Sequence, residues 1–584
     1  MHGTIREKEM SAPGTLSAGG MRSTRPGFAA LMQDHAAARC VAPPPAAADA
    51  TPRGLIAPEF DAAHYLDNNE DVRSSGMDPF EHFLLHGAAE LRNPNAWFDT
   101  GFYVRSNADV VDAEVNPFWH YLAHGKAEGR QPVSRRQAER AALAQAMPAT
   151  ARWVGTPPGD LPQSPDALRV AVADRLASAA GLVVSVSHDR YTHSVGGVQI
   201  LVSDEQKAFN ARNETYLHIA PAAARLMLAP PGGDPSIHLT IDGAYCGLTT
   251  YADLARILAE LAPVMPAARR FVVHCLLGHQ IDPLIALHAA VGPAAAVFWV
   301  NDYEAACVGY NLLRNDVAFC GGPPPGSMAC RVCVYGEDRD EHLAQVGRLF
   351  AAVAFHVVAP SEAALAVWTA AARLPHASVQ VHEYARVRTG ALRHGMLGAS
   401  PRGTPDNPVR VGFVGYAAVN KGWPAFAQLA GALGGHAGYR LFHFTALVAD
   451  PPLPGVETVL TKVRPDARGA MTDALAAASI DLVLVLSPWP ETFCLVAYEA
   501  IAAGADVVTL PGSGNVADMV LDRGRGLVMP DAAAIIEFFT SEAAIAYVRM
   551  CGEQGSEMGR LLSRGMTATL PLPDVPSGAA RSAA

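Results

Sequence analysis

No stretch of the 584-residue chain approaches the roughly 20 unbroken apolar residues that a membrane-spanning helix needs. The most apolar window, 284–300, is interrupted by His288, Gly292 and Pro293. The start also lacks the combination of a basic segment, an apolar core and a small-residue cleavage site, so no secretory leader is expected. Positive charge is in deficit: 45 Lys and Arg against 56 Asp and Glu give a net charge of −11, which argues against a nucleic-acid-binding protein. The expectation is a soluble, cytoplasmic chain, with peripheral contact at an inner membrane still open. In that compartment the nine cysteines should be thiols or metal ligands rather than disulfides. Half of the residues are apolar, and the length accommodates three or four domains with sizeable cores.

Residues 1–57 are rich in Ala, Pro, Gly and Ser without sustained periodicity, and read as a disordered arm. Residues 58–133 hold an internal repeat with a period of 38: Phe60-Asp61 recurs as Phe98-Asp99, Asp71-Val72 as Asp109-Val110, Pro79-Phe80 as Pro117-Phe118, and Gly87 as Gly125. Each unit reads as two short helices, the second capped by Asp78 or Asn116 with Pro at its first turn. His82 with His86, and His120 with His124, have a spacing that can chelate a metal, although packing between the helices explains them as well. A polar helix and a Pro/Gly linker fill 134–167. Apolar strands then alternate with helical stretches over 168–400 and again over 408–570, before a tail at 571–584. That alternation predicts two doubly wound α/β domains facing a cleft, joined by a polar loop near 400–407.

The stretch 487–515 carries the most chemistry. An apolar strand, Ile480 to Leu486, runs into a polar loop and a helix, followed by a second strand and a Gly-rich turn. Glu491 and Glu499 bracket the helix entrance in an E-x7-E spacing. Open parallel sheets bind ligands beyond the carboxyl ends of their strands, where a helix N-terminus favours an anion. A diphosphate over the amides of Thr492 to Leu495 would leave both carboxylates to accept hydrogen bonds from sugar and ribose hydroxyls. Embedded in P-E-T-F, E-A-x-A-x-G and S-G-N, this segment resembles the donor-binding motif of retaining glycosyltransferases with the GT-B fold, of the family 1 and 4 type. The repeats in turn resemble an F-D-x-x-Y-L … H-Y-L-x-x-G unit found beside bacterial surface-polysaccharide glycosyltransferases.

The resemblance implies that Glu491 reads the transferred sugar, Glu499 holds the ribose and Lys421, after the strand Val409 to Val414, neutralises the diphosphate. Gly512, Gly514 and Asn515 would let backbone approach the donor, alongside Thr492 and Phe493. Family members commonly place an Arg shortly before the Lys, and Gly415 to Asn420 contains none.

In the first half, Gly196-Gly197 follows His188-Asp189-Arg190-Tyr191 at a strand-to-helix turn that can bring amides to the cleft. His274 and His279 end another strand. Asp302 ends a third and is a candidate to orient the acceptor hydroxyl or take its proton; Asn301 stands where many relatives have His. Cys307, Cys320, Cys330 and Cys333, spaced C-x12-C-x9-C-x2-C in a Gly/Pro-rich loop, match tetrahedral zinc ligation, so a structural zinc is expected there.

The resulting expectation is a retaining, metal-independent glycosyltransferase. It would move a sugar from a nucleoside-diphosphate sugar to a hydroxyl of a glycan or glycolipid in bacterial surface-polysaccharide synthesis, the repeats contacting membrane or protein. A sugar-nucleotide epimerase and a non-catalytic glycan-binding scaffold with a decayed cleft are the alternatives.

Overall fold

The structure, a computed structural model, describes residues 15–16, 20–32, 51–133 except 114, 127 and 129, and 162–571 except 195, 224, 233–234, 394–400, 450 and 465–466. The expected helix at 134–147, the linker before 162 and the tail after 571 lie outside the described residues, as does Cys40. The chain forms two compact units, 37–146 and the remainder. Among the described residues no helix is long and apolar enough to cross a membrane.

The larger unit holds two eight-stranded sheets. In the second, the six parallel strands run in the spatial order Val456–Leu460, Tyr439–Thr445, Val409–Val414, Leu482–Val485, Asp506–Thr509, Gly526–Val528. Numbered along the chain this is 3-2-1-4-5-6, the dinucleotide-fold order, whose switch point lies between Val409–Val414 and Leu482–Val485. In the first sheet the parallel strands run Glu214–Pro221, Gly181–Val186, Ala268–Val273, Ala295–Trp299, His356–Ala359, Ser378–Val381, a flavodoxin-like 2-1-3-4-5-6 order, with the antiparallel Ser236–Ile241 and Ala244–Thr250 added at the edge. Strands such as Leu182 to Val184 and Leu482 to Leu484 are buried on both faces, as continuous apolar runs under helices require. These are the two doubly wound Rossmann-like domains of the expected fold.

Three features differ from the expectation. The strands Thr15–Leu16 and Arg22–Ser23, inside the segment read as a disordered arm, extend the second sheet. Arg25 explains why this stretch is fixed: its buried guanidinium lies 3.0 Å from Asp506, a carboxylate that also accepts hydrogen bonds from Arg525 and Tyr547. The body begins with the helix Pro165–Leu176 rather than at Leu168. Finally, the end of the presumed donor domain crosses back. Ser556–Ser563 pairs antiparallel with Ala385–Arg393, and the backbone N–H of Thr567 donates to buried Glu205 of the first half at 3.0 Å. Trp299 Nε1 donates to Thr567 Oγ1 at 2.8 Å, which sews the two halves together.

The smaller unit has the same geometry twice. Asp78 and Asn116 cap Pro79–His82 and Pro117–His120 by accepting two backbone N–H bonds each. Tyr65 and Tyr103 bond His82 and His120 at 3.0 and 2.9 Å, so those rings are part of the helix packing. Arg92 and Arg130 fork onto Asp71 and Asp109.

Candidate functional site

Lys421 and Glu491 follow the two strands on either side of the second sheet's switch point, so sheet topology alone brings them together. Lys421 Nζ lies 2.8 Å from Glu491 Oε1, and Ser487 Oγ donates to the same oxygen at 2.6 Å. Burial is the largest single influence and pulls the ammonium down, but the charge and hydrogen bond of Glu491 together with nearby Cys494 and Tyr310 outweigh it, and the net shift is upward, so Lys421 stays cationic at neutral pH. Gly422, at φ +82, is what permits this approach: a Cβ there would sit 2.2 Å from the carbonyl of Leu486.

Glu499 lies on the helix Leu495–Ala502, almost wholly buried, and burial raises its carboxyl to about 7 against the opposing pull of Arg468. Arg468 is a member of the site that sequence reasoning missed. Its Nη1 is 3.5 Å from Glu499 Oε1 and its Nε 3.5 Å from Asp204 Oδ2 on the helix Gly197–Asn210. It thus joins the helix Leu495–Ala502 to the first domain. Nothing in the local sequence marks it, because its partners are 31 residues downstream and on the other sheet.

The motif loop is locked in place by groups from both halves. Thr492 Oγ1 donates to Asn301 O at 2.9 Å, Ser361 Oγ to Thr492 O at 2.7 Å, and Tyr303 OH to Pro490 O at 2.8 Å. Phe493 stacks on Tyr498 with centroids 4.3 Å apart. Thr492 and Phe493 therefore build the site's frame through their side chains.

Gly514 and Asn515 hold the motif loop. Gly514 has φ +61 and a Cβ there would meet Glu491 O at 2.7 Å, while Asn515 Nδ2 donates to Phe493 O at 2.9 Å. Around Gly512 alone the space is open.

On the first sheet, Gly196 precedes and Gly197 opens the helix that carries Asp204. Gln199 ties this turn to the 188–191 loop, donating to Asp189 Oδ1 at 2.7 Å and bonding His188 at 3.1 Å. His274 and His279 do not face the cleft. His274 Nε2 meets Glu205 at 3.0 Å, its Nδ1 being left without a hydrogen-bond partner, and His279 bonds Tyr251 and the Ser187 carbonyl, all of them buried.

Asp302 groups with Cys275 and Glu304, their ligand-type atoms within 4.8 Å of one another. Burial raises Asp302 to about 7 against the Glu304 N–H; burial and the Asp302 charge push Glu304 far up. Glu304 accepts from the Cys275 thiol at 3.0 Å and the Leu276 N–H at 2.6 Å, so the group satisfies itself. Asn301 donates to His274 O at 2.8 Å and is bonded by Tyr384, so it serves the frame.

The four loop cysteines are all free thiols near one another, yet among the described residues no three of them bring their sulfurs within 4.8 Å of each other. Buried Arg339 also fastens this loop, donating to Ala306 O at 3.3 Å, Pro323 O at 2.5 Å and Cys330 Sγ at 2.9 Å.

No family model matches the chain, and no curated protein matches it. Among solved structures it is similar to an α,α-trehalose-6-phosphate synthase from Burkholderia multivorans, at 11% identity and TM-score 0.34 over 64% of this chain and 95% of that one. It is also similar to Anabaena Alr3699/HepE in complex with UDP-glucose, at 14% identity and TM-score 0.33 over 64% and 93%. A third is WaaG, a glycosyltransferase involved in lipopolysaccharide biosynthesis, at 12% identity and TM-score 0.35 over 64% and 95%. All are loose likenesses.

Proposed function

We propose that this chain is a retaining glycosyltransferase of the GT-B type that uses a nucleoside-diphosphate sugar. The observation that carries the reading is the Lys421–Glu491 pair at the switch point of a 3-2-1-4-5-6 sheet, with Glu499 on the helix that follows, the place where such sheets receive nucleotides. A diphosphate arriving there displaces Glu491 as partner of the Lys421 ammonium, which then stabilises the leaving group as the glycosidic bond breaks. Glu491, held by Ser487, is freed to accept from a hydroxyl of the transferred sugar. Glu499 accepts from the ribose hydroxyls, and Arg468 opposes the upward pull of burial on its carboxyl. Gly196, Gly197 and the 188–191 loop close the cleft from the other side, with Asp302 beside it to orient the acceptor hydroxyl. Attack on the face from which the phosphate departs would give retention, and a glycan or glycolipid of bacterial surface polysaccharide is the acceptor class.

Donor turnover across a panel of nucleoside-diphosphate sugars tests this, read as released nucleoside diphosphate. Turnover of one donor that vanishes in Glu499→Ala supports it. Silence across the panel without nucleotide binding supports the scaffold reading, which Asn301's purely structural bonds favour.

The structural zinc at Cys307, Cys320, Cys330 and Cys333 is also a proposal. It requires the sulfurs to draw together, and it predicts one equivalent of zinc in protein purified without chelator. Zinc-free protein that is fully folded would contradict it and leave Arg339 as the fastening.

A further inference from the structure

One ionic contact between the two halves of the larger unit is only half made, and it lies against the helix Leu495–Ala502. Asp204 sits on Gly197–Asn210, the helix opened by the Gly196-Gly197 turn, and Arg468 sits in the turn that leads into Ala470–Ala477. That turn is tight: Arg464 and Ala467 form an antiparallel bridge and Ala470 N donates to Ala467 O at 3.1 Å, which fixes the backbone from which Arg468 reaches out. The guanidinium then spans two carboxylates, with Nε 3.5 Å from Asp204 Oδ2 and Nη1 3.5 Å from Glu499 Oε1.

Three observations separate this bridge from an ordinary surface ion pair. Asp204 Oδ2 is sealed from solvent and accepts no hydrogen bond, so the Arg468 charge is what offsets its burial. The two carboxylates face different nitrogens of the planar guanidinium, so they do not compete for one donor, and anchoring Nε directs Nη1 at Glu499. The helix that carries Asp204 is itself packed on the second domain: Leu201 and Val202 belong to one buried apolar cluster with Phe493, Tyr498 and Ile501, and Glu205 accepts from the Thr567 N–H at 3.0 Å.

We propose that Asp204 is a positioning residue for the nucleotide: it holds Arg468 at Glu499, so that a carboxylate of the first domain governs how well the second domain binds the ribose. This rests on the glycosyltransferase reading. An ionised Glu499 accepts from both ribose hydroxyls, whereas a protonated one turns an oxygen into a donor. Burial raises its carboxyl to about 7, and Arg468 is the charge that pulls it back down. The Cys494 thiol at the helix entrance is pushed up to about 12, mainly by burial, and is neutral. On the elements packed against this helix, Arg386, Arg388, Asp473, Glu557 and Arg560 are exposed to solvent, and Asp506 is taken up by Arg25, Arg525 and Tyr547.

The test is calorimetric titration of the full chain with UDP, GDP and ADP between about pH 5.5 and about pH 9, on wild type, Asp204→Asn, Arg468→Met and the double variant. For the nucleotide that binds, wild-type affinity should fall as pH drops below about 7, where Glu499 takes up its proton. Arg468→Met should bind about tenfold more weakly at neutral pH and recover at the alkaline end, its midpoint displaced upward. Asp204→Asn should lose about threefold with its midpoint displaced the same way, and the double variant should be no worse than Arg468→Met, because Asp204 acts through the arginine. Arg468→Lys, which keeps the charge without the fork, should fall between wild type and Arg468→Met, and it takes the place of Arg468→Met in the cycle if that variant does not fold. An Asp204→Asn profile identical to wild type, or one displaced downward because Arg468 is released onto Glu499, overturns the inference, as does an additive loss in the double variant. Wild type that binds no nucleotide sinks the donor reading and this inference with it, whereas binding with an unmoved Asp204→Asn profile sinks this inference alone.

Discussion

The loop after Leu482–Val485 in the second sheet and the loop after Ala295–Trp299 in the first do similar work in opposite ways. The second-sheet loop concentrates its ionic groups within a few residues of one another: Ser487, Glu491 and Glu499 share a single strand-loop-helix unit, and Lys421 joins them across the switch point. The first-sheet loop spends its polar groups on structure. Asn301 braces Thr492 and His274, Tyr303 holds Pro490, and Glu304 serves Cys275 and Leu276. The lesson is that a nucleotide site is local in sequence because a helix N-terminus and a sheet edge create it. Groups that brace distant loops, such as Asn301 and Tyr303, look ordinary one at a time in the sequence.

The largest expected effect breaks the second-sheet side. Lys421→Ala removes the cation that meets the diphosphate and leaves Glu491 buried without its partner. Hydrogen bonds to charged groups contribute about 1.5–3 kcal/mol, so nucleotide affinity by calorimetry should fall about 10- to 100-fold. Next comes pH. The Glu499 carboxyl is raised from 4.5 to about 7, so between those values the folded state binds more protons than the unfolded one, and this group lowers stability as pH rises through that window. The cost is complete above about pH 7 and absent below about 4.5, on the order of 3 kcal/mol at most. Glu499→Gln should therefore be more stable than wild type to urea at pH 8 and equal to it at pH 4.

A similar perturbation on the first-sheet side is Arg339→Met, which strips hydrogen bonds from two carbonyls and Cys330 in the interior. It should cost about 2–3 kcal/mol in urea unfolding while leaving nucleotide affinity as in wild type. The smallest effect belongs to the repeats. Asp71→Ala breaks a fork to Arg92 in which the carboxylate is 62% exposed, and its urea midpoint should be indistinguishable from that of the wild type.

How far the sequence could be read follows the same division. Alternating apolar runs announced both sheets, and Lys421 and Glu491 could be singled out as candidates because they follow the ends of strands. Arg468 could not, since it acquires its meaning from partners supplied by other elements. The cysteine loop shows a different limit: the spacing of its four thiols gives no sign of the buried Arg339 guanidinium that also holds it. The arm before residue 58 escaped for a third reason, because two-residue strands and one buried Arg25 leave no periodicity to detect.

The most direct measurement is calorimetric titration of the full chain with UDP, GDP and ADP, wild type beside Glu499→Ala. The account predicts that one nucleotide binds to the wild type and binds at least about tenfold more weakly to the variant, a loss of about 1.4 kcal/mol or more. Equal affinity in the two proteins, or no binding of any nucleotide to the wild type, would contradict it.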